Sequence, residues 1–220
     1  MSIPLKEKIK TLSQLITEPT VLRLLLSLRN TGYLVDIGWF DAFKSRSSIN
    51  KKSEPVPWVT YPFIDFIEKR LDKTLKVYEF GSGFSTLFYA TRTHNITSVE
   101  HNLDWYKKMK SLAPSNAEIV FCAEDINGLY SKSIGMKNEV YDVIIVDAND
   151  RINCTKQALS ALSVKGVLVL DDSDRYEYEE AFDFMKKSGF KEITFWGISP
   201  GYFNRKATTV FYRTDNCLNI

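Results

Sequence analysis

The sequence is poor in the residues that build metal clusters and disulfide scaffolds. Among its 220 residues it has 3 cysteines and 2 histidines. Cys122, Cys154 and Cys217 lie far apart and form no CxxC pair, so neither a disulfide framework nor a zinc knuckle is supported. Such a chain suits a reducing compartment, and we expect a cytoplasmic protein.

The sequence also lacks a strong charge of either sign and a long apolar run. Its formal net charge of +2 is too small to indicate nucleic acid as an obligate partner. The most apolar stretch near the N-terminus, VLRLLLSL at 21–28, contains Arg23 and is far shorter than the roughly 20 residues that a membrane span needs. The N-terminal residues are charged and show no apolar core of a secretory signal. We therefore expect no nucleic-acid partner and no stable membrane insertion.

Glycines are few, 10 in all, but two of them lie one residue apart in VYEFGSGFSTLFYA, residues 77–90. Gly81 and Gly83 allow a tight turn and a close approach of a ligand to the backbone. The stretch has no lysine, which excludes the GxxxxGK[ST] loop that binds triphosphates. Thr86 stands where a dinucleotide fingerprint has its third glycine, and Glu79 would repel a pyrophosphate. The turn therefore favours a ligand with positive charge and little phosphate.

From residue 75 onward, apolar runs alternate with stretches of helical spacing. The predicted strands are 76–80, 96–100, 117–122, 141–147, 166–171, 191–197 and 207–213. The predicted helices between them are 84–93, 103–112, 126–134, 152–162 and 175–188. This alternation predicts an α/β fold with a doubly wound, mostly parallel sheet of seven strands. The loop before the last strand is too short for a crossover helix, so residues 75–220 should end in an antiparallel hairpin.

Residues 1–74 are predicted to form a helical extension, or cap, that belongs to the same domain. Residues 5–29 and 60–71 have helical spacing, and Pro19 should end one helix and start another. The segment between them is predicted to be mostly loop, with a basic, serine-rich middle. We expect the first helices to pack on the main domain.

Acidic residues follow four successive predicted strands, at the edge of the sheet where ligands of such folds bind. Glu79 lies at the end of the first strand and Asp147 at the end of the fourth. Glu100 ends the second strand and could accept hydrogen bonds from both ribose hydroxyls of an adenosine. After the third strand, Glu124 or Asp125 could meet an adenine amino group, and the choice between the two stays open. Because basic residues are expected to be nearly absent there, the pattern suits an adenosyl group attached to a cationic amino acid.

Four motifs carry a resemblance to a known family. YEFGSGFST, SVEHN, CAEDI and YDVIIVDANDR resemble, in order and spacing, the motifs of class I S-adenosylmethionine-dependent methyltransferases. The resemblance covers about residues 75–213 and implies a parallel sheet with an antiparallel last strand and S-adenosylmethionine as cofactor. It also implies that the turn lines the methionine end, that Glu100 holds the ribose, and that Glu124 or Asp125 borders the adenine. The turn residues concerned are Glu79, Gly81, Ser82, Gly83 and Thr86.

A narrower resemblance rests on shorter motifs. GWF, PVPWVTYPFIDF, EFGSGFSTLF, DANDR and LDDSDR are similar to a group of bacterial class I methyltransferases that is loosely associated with polysaccharide biosynthesis. This similarity implies a glycan as one class of substrate.

Asp147 and the pair Asp171 and Asp172 end neighbouring strands about 5 Å apart, so their carboxylates can converge. An Asp followed by an acidic pair resembles the metal-dependent O-methyltransferases, such as the catechol and caffeoyl-coenzyme A enzymes. This resemblance implies a magnesium ion held by all three aspartates. Two departures are that Asp172 replaces an Asn and that Asp150 and Arg151 replace the lysine of those enzymes. Without a metal, Asp147 or Asp172 could act as a general base toward a hydroxyl group.

The acceptor pocket is predicted under PVPWVTYP and SPGYFNRK, beside DDSDRYEY. These segments and the one after the fourth strand supply aromatic and arginine side chains that could stack on a sugar ring or hold a carboxylate. They are Trp58, Tyr61, Arg151, Arg175, Tyr176, Tyr202 and Arg205. Trp58 and Tyr61 have the alternative of being core anchors of the extension. Asp174 is expected to cap the helix that begins near Arg175.

These observations predict an S-adenosylmethionine-dependent methyltransferase that methylates a hydroxyl of a small molecule or glycan, with magnesium as an optional helper. The alternative is a regulatory module that binds S-adenosylmethionine or a nucleoside without catalysis. The chain has no Asn-Pro-Pro-Tyr-like element after the fourth strand, which argues against methylation of nucleic acid bases. An aromatic content of 13% leaves a homodimer open without locating an interface.

Overall fold

The computed structural model describes residues 4–123 and 128–220, and its centre is one seven-stranded sheet in the order β3-β2-β1-β4-β5-β7-β6. The strands are β1 (Lys76–Phe80), β2 (Asn95–Glu100), β3 (Ala117–Phe121), β4 (Tyr141–Val146), β5 (Leu162–Asp171), β6 (Lys191–Ser199) and β7 (Tyr202–Tyr212). The first five strands pair in parallel, and β7 lies antiparallel between β5 and β6. The predicted fold class is confirmed, including the C-terminal antiparallel hairpin.

The closing hairpin is tighter than the sequence indicated. Ser199 pairs with Tyr202, so the turn consists of Pro200 and Gly201 rather than a loop of about ten residues. Gly201 has a φ of 68°, and a Cβ there would meet the Phe43 backbone nitrogen at 2.8 Å. The first residues of β7 were missed because YFNRK is mostly exposed and contains three polar residues in a row, unlike the buried strands of the sheet.

Helices cover both faces of the sheet. The α-helices of the described residues are α1 (Leu5–Thr17), α2 (Pro19–Ser27), α3 (Tyr33–Asp36), α4 (Trp39–Ser45), α5 (Tyr61–Glu68), α6 (Phe84–Arg92), α7 (Leu103–Leu112), α8 (Leu129–Lys132), α9 (Arg151–Ala158) and α10 (Glu179–Lys187). Successive side chains of a strand point to opposite faces, so β4 feeds two cores. Val143 and Ile145 join the cluster that contains residues of α4, α5 and α6. Ile144 and Val146 join the cluster that contains residues of α8, α9 and α10.

The N-terminal extension divides into two parts. Neither α1 nor α2 has a buried residue, so the expectation that these helices pack on the main domain is wrong. Pro19 is the first residue of α2, as the sequence predicted. The second part joins the core through Phe63 and Ile67 of α5 and through Trp39 of α4, a helix in a segment predicted to be mostly loop.

None of the helices in the described part of the chain has the length and apolar character that crossing a membrane requires.

Candidate functional site

The site lies where the strand order reverses. The chain places β2 on one side of β1 and β4 on the other, so the carboxyl ends of β1 and β4 border the crevice. Gly81 follows β1 with a φ of 101°, and a Cβ there would lie 2.5 Å from the Asp147 carbonyl oxygen. The backbone N–H of Asp147 in turn donates to the Phe80 carbonyl at 3.1 Å. Glycine at position 81 is therefore required by the fold itself.

Gly83 is different from Gly81. Its φ of 173° is extended backbone that any residue adopts. A Cβ there would meet nothing nearer than the Ser85 hydroxyl, at 3.8 Å. Because neither backbone conformation nor packing calls for glycine, position 83 offers bare backbone to whatever enters the adjacent cavity.

Glu79 is linked to the glycine turn by hydrogen bonds. Thr86 Oγ1 donates to Glu79 Oε2 at 2.5 Å, Ser98 Oγ donates to the same oxygen at 2.8 Å, and the Gly83 N–H donates to Thr86 Oγ1 at 3.0 Å. Burial raises the pKa of Glu79 to about 7, although hydrogen bonds from Ser85, Thr86 and Ser98 oppose this shift. The buried carboxyl therefore reaches the turn through Thr86.

Glu100 also forms hydrogen bonds to the glycine turn. Its Oε2 accepts hydrogen bonds from the Ser82 hydroxyl at 2.8 Å and the Ser82 N–H at 3.2 Å, and its Oε1 accepts from the Asn102 N–H at 2.9 Å. A carboxylate has about four lone-pair sites, and the donors among the described residues occupy three of them. Trp105 adds a bond from its indole Nε1 to the Ser82 carbonyl at 2.7 Å.

Two cavities open at this edge of the sheet. The glycine-turn cavity has a volume of about 200 Å³, and its lining includes Arg46, Trp58, Ser82, Gly83, Trp105 and Asp147. The aspartate cavity has a volume of about 220 Å³, and its lining includes Trp58, Asp147, Asp171, Asp172, Tyr202 and Lys206. Trp58 and Asp147 belong to both linings, so the cavities meet at these two side chains.

The predicted carboxylates lie close together, but cationic side chains lie among them. Lys206 Nζ lies 2.5 Å from Asp171 Oδ2 and 2.6 Å from Asp172 Oδ1. Arg151 NH2 lies 2.7 Å from Asp147 Oδ1 and 3.2 Å from Asp172 Oδ2. Arg175 NH2 lies 2.5 Å from the same Asp172 oxygen. The expectation that basic residues are nearly absent from this crevice is therefore wrong.

Comparisons with known proteins bear on the fold. No model of a protein family matches the chain, and no curated protein matches it either. A candidate O-methyltransferase from Klebsiella pneumoniae aligns with a TM-score of 0.56 at 12% identity, covering 88% of this chain and 96% of that one. A candidate caffeoyl-CoA O-methyltransferase from Staphylococcus aureus aligns with a TM-score of 0.55 at 15% identity, covering 88% and 98%. A methyltransferase-like protein from Silicibacter pomeroyi aligns with a TM-score of 0.53 at 18% identity, covering 73% and 90%.

This chain has the Rossmann-like methyltransferase fold. At identities of 12% to 18%, the likeness concerns the arrangement of the backbone. The functional residues must therefore be judged from the geometry of this site.

The expected magnesium site of this methyltransferase fold does not fit the side chains. The ammonium of Lys206 lies between Asp171 and Asp172, where a bridging metal would need to be. In residues 4–123 and 128–220, no group of three or more acidic, histidine or cysteine side chains forms a candidate metal centre. The prediction of a magnesium ion on Asp147, Asp171 and Asp172 is corrected accordingly.

The pKa values of the two adjacent aspartates are shifted in opposite directions. Burial disfavours the charge of Asp172, but Lys206, Arg151 and Arg175 outweigh burial and lower the pKa of Asp172 below its ordinary value. Burial, together with the Asp147 carboxylate, raises the pKa of Asp171 despite the nearby Lys206. Asp172 is therefore held as a carboxylate, which makes it a weak proton acceptor.

The structure places the predicted acceptor residues in different environments. Trp58, Arg175 and Tyr202 come together at the aspartate cavity, as expected. Tyr61 is buried in the core, and its ring centroid lies 6.4 Å from that of Tyr33. This is the alternative expected for Tyr61, that of a core anchor. Arg151 is buried among the aspartates and also donates from Nε to the Asp171 carbonyl at 3.0 Å. In the structure Arg151 thus joins Asp147, Asp171 and Asp172, and its contact with a substrate stays a prediction.

The remaining predicted residues have different outcomes. Asp174 does not cap a helix, because its Oδ1 accepts the Ala207 N–H at 2.8 Å and so ties its loop to β7. Tyr176 is exposed, and the Arg205 guanidinium lies 4.0 Å from the centre of the Trp196 ring. Glu124 and Asp125 lie outside the described residues.

Sequence reasoning missed three cationic residues that line the cavities, Arg46, Lys108 and Lys206. Arg46 belongs to a basic, serine-rich run that was assigned to a loop, yet it lines the glycine-turn cavity. Lys206 immediately precedes the predicted seventh strand. It could have been found by pairing that strand with β5, since Asp171 lies opposite Thr208 and Lys206 is two residues away on the same face.

Proposed function

We propose that the chain is an S-adenosylmethionine-dependent methyltransferase that transfers a methyl group to a hydroxyl of a small molecule or glycan. The observation that carries this proposal is the pair of cavities that share Trp58 and Asp147. A group transfer needs a donor and an acceptor side by side, and this arrangement offers a place for each.

The residues around the glycine-turn cavity fit the donor. Gly83 leaves the backbone bare, and the donors among the described residues leave Glu100 a lone-pair site for a ribose hydroxyl. Arg46 and Lys108 bring positive charge for the methionine carboxylate, while Asp147 brings negative charge for the sulfonium and ammonium. Bound S-adenosylmethionine supplies an electrophilic methyl group, so the protein's part is to align the acceptor oxygen and to take its proton.

Asp147 is the residue we assign to proton transfer. Its side chain is 39% exposed and lines both cavities. In the described part of the chain, Arg151 is the only cation paired with it, whereas Asp172 faces three. An accessible carboxylate beside the acceptor can receive the hydroxyl proton as the oxygen gains the methyl group.

The aspartate cavity favours a hydroxyl-rich acceptor. Trp58 is 56% exposed and Tyr202 is also exposed, so their rings are free to stack on a sugar. Arg175 is half exposed and carries donors for hydroxyl or carboxylate oxygens. We propose monosaccharides and oligosaccharides, including acidic ones, as the acceptor class, which agrees with the polysaccharide resemblance.

Two measurements test this function. Isothermal titration should show saturable binding of S-adenosylmethionine and of S-adenosylhomocysteine by the whole chain. Methyl-labelled S-adenosylmethionine should then label members of a panel of neutral and acidic sugars, and amine analogues should not be labelled. Binding without transfer to any acceptor would favour the regulatory module, and absence of binding by folded protein would refute the methyltransferase.

A further inference from the structure

All three N–H donors of the Lys206 ammonium have acceptors within the protein. Its side chain is only 13% exposed, although lysines usually extend into water. Three oxygens surround Nζ: Asp171 Oδ2 at 2.5 Å, Asp172 Oδ1 at 2.6 Å and the Trp58 carbonyl at 3.3 Å. An ammonium has three N–H donors, so each donor has one acceptor and none is left for a substrate.

The pairing of β7 with β5 puts Lys206 in this position. Asp171 lies opposite Thr208 in the antiparallel ladder, and Thr208 Oγ1 donates to Asp171 Oδ1 at 2.8 Å. Side chains two residues apart on a strand share a face, so Lys206 reaches over the end of β5. There its ammonium joins Asp171 and Asp172 to the loop that carries Trp58. Lys206 therefore holds the two aspartates beside Trp58, which lines both cavities.

Among the described residues, the ion pairs around Lys206 join three carboxylates to three cations. Asp147, Asp171 and Asp172 are paired with Arg151, Arg175 and Lys206. The two carboxylate oxygens lie 2.5 Å and 2.6 Å from Nζ, which is comparable with the roughly 2.3–2.6 Å between Ca²⁺ and its oxygen ligands. An ammonium and a divalent ion cannot occupy one position, and the ammonium is supplied by the chain itself.

We propose that Lys206 is a built-in cation that takes the place of a divalent metal between Asp171 and Asp172, and that removing its side chain opens a metal site there. The site then has no need of a metal ion to hold these two carboxylates together. The consequence for catalysis, a methyl transfer that is independent of added metal, rests on the proposed function. The metal site itself does not rest on it, because it is tested without S-adenosylmethionine.

The test is a calcium titration of the whole chain by calorimetry, with thermal unfolding as a second readout. Wild-type protein should show no saturable Ca²⁺ binding at this site, whereas Lys206→Ala should bind one Ca²⁺ saturably, because one positive charge has been removed and space for an ion created. Calcium should also raise the melting temperature of Lys206→Ala and leave that of the wild type unchanged.

Three variants locate the effect and guard against general causes. Lys191→Ala, which removes an exposed lysine at the start of β6, should behave as the wild type. Lys206→Arg retains a cation and should stay free of calcium. The double variant Lys206→Ala, Asp172→Asn should lose the calcium binding that Lys206→Ala gains.

Either of two results overturns the proposal. One is calcium binding by the wild type that Asp171→Asn abolishes, because the site would then accept a metal in the presence of Lys206. The other is a folded Lys206→Ala protein that binds calcium no better than the wild type. If Lys206→Ala does not fold, Lys206→Ser, which also removes the charge and frees the space between the carboxylates, is titrated in its place under the same criteria.

Discussion

The Cα of Gly81 faces the main-chain carbonyl of Asp147 so closely that a Cβ at position 81 would lie 2.5 Å from that oxygen. This approach joins the ends of β1 and β4 at the point where the strand order reverses. Since Asp147 lines both cavities, the glycine fixes the position of the residue that we assign to proton transfer.

Replacement of Gly81 by alanine should destabilise the fold by about 3 kcal/mol, because a positive φ is strained for a residue with a side chain and the new methyl group displaces the Asp147 backbone. The measurement is urea-induced unfolding. Gly189→Ala is the matched control, because Gly189 also has a positive φ but a Cβ there meets nothing within 4 Å. Equal losses in the two variants would show that the contact with Asp147 contributes no constraint.

Gly83 gives the opposite expectation. Gly83→Ala should change the free energy of unfolding by less than about 0.5 kcal/mol, because the backbone is extended and the space is open. Binding of S-adenosylmethionine should nevertheless weaken at least about tenfold, since the methyl group enters the cavity that the ligand is to fill. Gly135→Ala, on an open surface position, is the control for both readouts. Unchanged affinity in Gly83→Ala would mean that no ligand approaches the backbone here.

The stability of the protein should depend on pH through Glu79. Its pKa is raised to about 7 in the folded protein, from an ordinary value of 4.5. Between these values the folded state binds more protons than the unfolded state, so stability falls as pH rises from 4.5 to 7 and then levels off. At about 1.4 kcal/mol per pKa unit, this contribution is about 3 kcal/mol.

Glu79→Gln removes that titration. Between pH 5 and pH 8, the wild type should therefore lose about 2.5 kcal/mol more stability than Glu79→Gln does. Urea unfolding at the two pH values measures the difference, and Glu139→Gln, at an exposed position, controls for the loss of a charge. Parallel pH profiles of wild type and Glu79→Gln would contradict a raised pKa at this carboxyl.

The fold was predictable from the sequence because local signals agreed with tertiary structure. Lys76–Phe80 and Tyr141–Val146 are short apolar runs bounded by turn residues, and they form β1 and β4 close to where they were predicted. Acidic residues at the strand ends also converge, because parallel strands end at one edge.

The counter-cations of the site were not predictable in the same way. Lys206 reaches Asp171 through an antiparallel pairing of strands that are far apart in the chain. Arg151 was expected to meet a substrate, and nothing in the local pattern shows that it turns inward to brace Asp147 and Asp172. Long-range pairing and the direction of a long side chain depend on the assembled core, which sequence periodicity does not encode.

The first two helices provide a test of which residues stabilise the fold. Ile16 in α1 is 71% exposed, whereas Ile67 in α5 is 0% exposed. Ile67→Ala should cost about 2–5 kcal/mol of stability because it leaves a cavity in the core. Ile16→Ala should cost less than about 0.5 kcal/mol. A loss above 1.5 kcal/mol for Ile16→Ala in urea unfolding would show that α1 is packed in solution.

Asp147 and Asp172 should differ as proton acceptors, although they share Arg151. Asp147→Asn should lower kcat by about 10²–10⁴ with little change in KM for an acceptor found in the sugar panel, because a general base is removed while the cavity walls remain. Asp147→Asn should bind S-adenosylmethionine more weakly in calorimetry, because a negative charge beside the sulfonium and ammonium is lost, so kcat is measured at saturating S-adenosylmethionine. Saturable binding by the variant shows that the site is intact. Asp172→Asn should affect kcat less, since three cations already hold Asp172 as a weak base.

If Asp172→Asn lost the rate and Asp147→Asn kept it, the two assignments would have to be exchanged. If both variants kept the full rate, neither carboxylate would take the proton, and alignment of the acceptor oxygen alone would account for the transfer.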